Sequence, residues 1–355
     1  MKRVVFIVAV TLTLLTAATS SSQAITCTPT GYVRDSINLT AALINPHGTV
    51  SGDVDATGCH IAIYYGPGAR GRVSGANVHG AQYFGVANNG GNVDISDSTI
   101  YDIGESPLNG SQHGNAIYFA FGSKAKGTIK GNVIWNYQKG GIVVNGSGAN
   151  VDISHNTVVG QGPVNFIAQN GIQIGFGAHA DATANTVVGN SYTGDGLTAS
   201  SGILVVGGDC YGGPLTVGSH VAGNIAVGND VGVWFSNLDA ACGPATTPTR
   251  DVASENTIRN NAVNNTSGNG VGAGYQAGIS DQGDSDLLVK NSICGIGYTS
   301  VVSPPPFLFM IDTTFTNNPV VKYNTTCNTS GPVTSGDAFL AIQTVPRPVY
   351  PSVAW

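Results

Sequence analysis

Short runs of alternating apolar and polar residues, separated by glycine and asparagine, recur along most of the chain. In Gly171-Ile172-Gln173-Ile174 the two isoleucines fall on one side and Gln173 on the other, the period of a β-strand. The phrase returns as Phe84-Gly85-Val86-Ala87, Asn115-Ala116-Ile117-Tyr118, Gly141-Ile142-Val143-Val144, Gly202-Ile203-Leu204-Val205, Gly232-Val233-Trp234-Phe235 and Gly278-Ile279-Ser280. A second phrase, centred on asparagine, stands between these strands at Asn77, Asn132, Asn156, Asn185, Asn224, Asn256 and Asn291, with Ser98 taking the place once. No stretch of similar length repeats apolar residues at helical spacing, and the Leu-x-x-Leu-x-Leu frame of leucine-rich repeats is missing.

Constant strand phrases with variable spacers predict a solenoid whose coils carry loops of different size. Stacked coils would set like positions about 4.8 Å apart. The asparagine then falls at a bend between strands, where it tolerates left-handed backbone angles and bonds its amide to the next coil. The coils run over 59–328, about eight of them. A short N-terminal cap over 25–58 precedes them, in which Arg34–Ile44 reads as a short helix with Asp35 or Ser36 as N-cap. Residues 329–355 form a C-terminal tail laid over the last coils. These repeats resemble the right-handed parallel β-helix proteins of bacteria, the superfamily that includes pectate-lyase-like enzymes. The resemblance implies an all-β fold and leaves the chemistry open.

Export changes this picture. Met1-Lys2-Arg3, an apolar run over 4–18 and Ser22-Gln23-Ala24 read as a signal peptide spanning 1–24, which predicts a secreted protein with no membrane span. The formal charge is −6, and losing Lys2 and Arg3 makes it more negative, so there is no basic footprint for nucleic acid. All six cysteines follow the leader, which favours disulfides. Cys294 and Cys327 each stand three places after a repeat asparagine and so should pair. Cys210 and Cys242 each sit in an insertion that runs on to Gly-Pro and should pair too, leaving Cys27 for Cys59. A capped solenoid stands as a monomer.

Chemistry is expected on the outward columns. Two residues after the repeat glycine the column reads Ala87, Tyr118, Val143, Gln173, Leu204, Trp234, Ser280; two before it, Tyr83, Gly114, Lys139, Gln169, Ser200, Asp230, Gln276. His113, Lys139 and Gln169 should therefore cluster, bordered by Tyr118 and Gln173. The long excursion over 101–113, with Asp102 and Glu105, ends at their mouth, and loops on rigid scaffolds commonly carry function.

Three activities on an extracellular polysaccharide compete. A lyase cleaving a uronate glycan by β-elimination would use His113 or Lys139 as base, with Ca²⁺ held by Asp102 and Glu105. A glycoside hydrolase would use Asp102 and Glu105 as its carboxylate pair. A carbohydrate-binding or adhesive surface would stack sugars on Tyr118 and Trp234, with Gln169, Gln173 and Asn145 as hydrogen-bond partners. Each residue also has a plainer role, as a turn, a loop brace or a solvated charge. The polygalacturonase phrases and the Trp-x-Asp-His phrase of pectate lyases are absent, and the arginines, Arg34 among them, fall on neither column.

Overall fold

A computed structural model describes residues 26–119, 124–194, 198–262, 275–295, 297–300, 307–308, 310–313 and 315–327. The signal peptide and the C-terminal tail expected at the two ends lie outside the described residues.

One sheet has 11 strands: β1 (Thr28–Arg34), β2 (Ile37–Ile44), β3 (Ile61–Tyr65), β4 (Phe84–Asn88), β5 (Asn115–Phe119), β6 (Gly140–Asn145), β7 (Asn170–Gly175), β8 (Ser201–Gly207), β9 (Val231–Asn237), β10 (Ala277–Asp281) and β11 (Ile311–Asp312). From β2 onward each strand pairs in parallel with the next, so the chain must leave the sheet and come round between them. It returns through a sheet with 18 short strands among the described residues, such as Asn150–Ser154 and Thr157–Val159. The result is a parallel β-helix, and crossovers between parallel strands are right-handed.

The core follows from the alternation. Ile142, Ile172, Ile203, Val233 and Ile279 stand opposite one another on successive coils and are fully buried. Each such side chain contributes roughly 1.5–3 kcal/mol through burial. The repeat glycine has a steric cause. A Cβ on Gly171 would lie 2.2 Å from Val187 and 2.7 Å from the Gly202 carbonyl of the next coil.

The asparagine ladder is present, with two corrections. Asn132, Asn156, Asn185, Asn224, Asn256 and Asn291 each pass an amide hydrogen bond of 2.9–3.0 Å to the next, the last of them to Asn324. Asn77 is not a member: it is exposed and pairs with Thr99, and the ladder begins at Ser98, whose backbone N–H donates to Asn132. The left-handed residue at each bend is the one before the asparagine, including Asp97, His155, Ala184, Glu255 and Lys290. The asparagine itself is held by its bonds.

The expected helix over Arg34–Ile44 is a β-hairpin instead. Asp35 and Ser36 take positive φ (51° and 64°) and turn the chain so that β1 pairs antiparallel with β2. β2 pairs in parallel with β3, so the stack already includes residues ahead of Cys59. Among the described residues nine strands of the sheet, β3 to β11, fall within 59–328, against the eight or so coils expected.

Disulfides join Cys27 to Cys59 and Cys210 to Cys242 as expected. Strand pairing sets Cys294 opposite Cys327, but the Cys327 side chain lies outside the described residues, and with it the third expected bond. Among the described residues no helix is long and apolar enough to cross a membrane.

Candidate functional site

The two outward columns stack as the repeats predict. Ala87, Tyr118, Val143, Gln173, Leu204, Trp234 and Ser280 are successive register partners. Beside them, backbone bonds link Lys139 to the Gly114 carbonyl and Asn170 and Ser201 to those of Lys139 and Gln169. The columns do not form an open groove, however. Tyr118, Gln173 and Trp234 are all buried.

Trp234 is covered by its neighbours Tyr211 and Tyr275, whereas the cover nearer Tyr118 comes from two places. The β1–β2 hairpin brings Tyr32 and Arg34 over the aromatic wall, with Tyr32 stacked on Tyr64 and the Arg34 guanidinium 5.5 Å from the ring centres of Phe84 and Tyr118. The excursion over 104–114 is pinned by buried Gln138. Its amide oxygen accepts the backbone N–H of Glu105 and of Asn109, and its NH₂ donates to the Ser111 carbonyl. Nothing in the strand period singles out Gln138.

Beneath this cover lies a crevice lined by Arg34, Gln112, Asn115, Tyr118, Lys139, Gly140, Val143, Asn145 and Gln173. It has room for ≈ 10 Å³, about one water. Lys139 is buried, its Nζ donates to the Ala168 carbonyl at 3.0 Å, and burial pushes its amine down to about 8. Arg34 donates from its guanidinium to the Gln112 carbonyl at 3.1 Å. Arg34 Nε, 3.8 Å from Asp35 Oδ2, and Asn115 Oδ1 are buried without a hydrogen-bond partner. Gln173 donates to Asn145 at 3.0 Å and accepts from Asn170 at 3.2 Å. Two cationic side chains, an orphan donor, an orphan acceptor and a row of amides suit an anionic, hydroxyl-rich group.

Arg34 was missed because column geometry cannot show a residue that arrives from another element. Lys139, Tyr118, Gln173 and Asn145 are brought together as expected. Trp234 lies farther up the column, over a second cavity.

Other expected members stand elsewhere. His113 lines neither cavity; its Nε2 lies 2.6 Å from Glu105 Oε1 and its ring stacks on Tyr83 at 3.8 Å. Glu105 Oε2 accepts from Gln82 at 2.8 Å, and the Gln82 and His113 bonds hold its carboxyl below the usual range. Asp102 is exposed on another partner, the Asn136 amide. The two carboxylates are thus engaged by different neighbours, Glu105 by Gln82 and His113 and Asp102 by Asn136. Among the described residues no group of three or more His, Cys, Asp or Glu is placed to hold a metal ion. Gln169 is fully buried and fully used, donating to the Tyr137 and Gln138 carbonyls and accepting from Gln161 N–H. It fixes the wall and does not offer itself to a ligand.

Residues 43–210 match the model of a right handed beta helix region. No curated protein matches the chain. Among solved structures, the Dettilon tailspike protein (gp208) is similar at 12% identity with a TM-score of 0.34. That likeness covers 80% of this chain and 59% of the tailspike chain.

Proposed function

We propose that this right-handed β-helix repeat protein acts on an extracellular polysaccharide rich in carboxylates, cleaving it by β-elimination at a uronate ring, with Lys139 as base. One observation carries the reading: Lys139, with its amine lowered to about 8, lines the same crevice as the Arg34 guanidinium. In β-elimination the proton beside the carboxylate is removed. Its electron pair forms the ring double bond, and the glycosidic oxygen on the next carbon leaves and is protonated by solvent. Arg34 would neutralise the carboxylate and make that proton more acidic. Lys139 is the scarce kind of base needed, since at pH 7 roughly a tenth of such an amine is neutral. The two disulfides fit an oxidising compartment outside the cell.

Incubation with pectic, alginate-like and glycosaminoglycan polymers, followed by ultraviolet absorbance of unsaturated ends, tests this directly. Absorbance that grows with enzyme supports elimination, and new reducing ends without absorbance support hydrolysis. A binding-only reading stands beside it, since the crevice as it stands, at ≈ 10 Å³, holds no sugar ring in position for the base. Polymer capture with neither product would establish it.

A further inference from the structure

Above the crevice, over the Leu204 and Trp234 steps of the same column, is a second cavity of ≈ 70 Å³. Ala168, Ala199, Leu204, Val206 and Trp234 give it an apolar lining, and Lys139 lines both it and the crevice. Resting on the polysaccharide reading above, we infer that this cavity is a subsite for a small acyl substituent, an acetyl group carried by the sugar chain whose carboxylate meets Arg34.

Size, polarity and rigidity all point to this. A volume of ≈ 70 Å³ is about half that of the roughly 150 Å³ cavity that holds a benzene ring, enough for an acetyl group and too small for a pyranose ring. The polar groups of Trp234, Ser236, Tyr211 and Asn170 at its edge are already hydrogen-bonded, and Thr198 and Lys139 complete the lining. Trp234 Nε1 donates to Gln282 at 3.1 Å, Ser236 donates to the same Gln282 oxygen at 2.7 Å, and the Tyr211 and Ser236 hydroxyls bond at 2.7 Å. Asn170 is likewise spent, donating to Gln173 and accepting from Ser201. With these bonds made, a methyl group fits the lining better than a hydroxyl. The Tyr211 wall is held by the 3₁₀ turn Asp209–Tyr211 and the Cys210–Cys242 disulfide, so the cavity is formed before a ligand arrives. Leu204 is the register partner of Gln173, which places the cavity one coil, about 4.8 Å, beyond the crevice. That is the reach of a substituent on the same or the adjoining sugar.

The test is isothermal titration of the intact protein with acetylated alginate and acetylated pectin, each beside its deacetylated twin. The inference expects the acetylated form of at least one polymer to bind fivefold or more tightly, and Leu204→Phe, which fills the cavity, to erase that preference. Equal or weaker binding of both acetylated forms overturns the subsite and leaves the polysaccharide reading standing. Binding of none of the four polymers removes both. The wild-type comparison decides the matter even if Leu204→Phe does not fold.

Discussion

Arg34 and Lys139 line one crevice although one ends the N-terminal hairpin strand and the other stands at the foot of β6 on the wall beneath it. The hairpin thus supplies half of the charge of the candidate site. Arg34→Ala should weaken binding of a polyuronate by roughly tenfold or more, the usual range for a charge-assisted bond. Arg34→Lys should recover only part of this, because lysine lacks the planar fork. Titration calorimetry with the three proteins checks both, and undiminished binding by Arg34→Ala would remove the carboxylate from the account.

His113 is a brace in this structure, held between Glu105 and Tyr83. His113→Ala should leave turnover within a few-fold of wild type while the 104–114 loop becomes easier to cleave with protease. Glu105 adds a pH dependence. Its folded carboxyl lies below the unfolded value, so its stabilisation is present above the unfolded value of about 4.3 and is lost as pH falls through the folded one. Limited proteolysis at pH 7 and pH 3 should show the loop less protected at the latter.

Elsewhere the sign reverses. Burial pushes the Asp230 carboxyl up to about 7, and burial together with Asp281 and Asp251 pushes Asp286 up to about 10. A group raised in the folded state binds more protons there than in the unfolded chain, where the value is about 3.9, so stability falls as pH rises between the two. The melting temperature should therefore be higher at pH 5 than at pH 8, by about 5 °C or more. Asp286→Asn should flatten that slope. A melting temperature that rises from pH 5 to pH 8 would contradict the buried-acid assignment.

The ladder gives a paired comparison. Asn185 donates to Asn224 and to the Ile153 carbonyl and accepts from Asn156, all in the interior. Asn185→Ala should cost about 2–4 kcal/mol, since it leaves buried partners unsatisfied. Asn77→Ala, outside the ladder, should stay within about 0.5 kcal/mol. Denaturant titration of the two variants measures both.

These cases show where sequence reading reached its limit. Stacking of Tyr118, Val143, Gln173, Leu204 and Trp234 was legible because strand period and a sterically required glycine fix both face and register. The two disulfides were legible by other means, Cys210–Cys242 from like insertions before Gly-Pro and Cys27–Cys59 by elimination. The hairpin was not legible, since Asp35-Ser36 serves equally as an N-cap or as a turn with positive φ. Arg34, Gln138 and the cover over the columns depend on the direction in which loops fold back, and loop length does not encode direction. The fate of Glu105 and Asp102 was hidden likewise, because Gln82 and Asn136 come from other segments and the Glu105–His113 bond depends on how the excursion folds on itself.

The central claim is tested most directly by the rate of unsaturated-product formation from a polyuronate, followed against pH for wild type and Lys139→Ala. Wild-type rate should climb along a limb centred near pH 8, where the buried amine loses its proton. Lys139→Ala should fall by about 10²–10⁴-fold across the range with its circular dichroism unchanged. A folded Lys139→Ala protein that keeps wild-type turnover and the same pH limb would contradict the account.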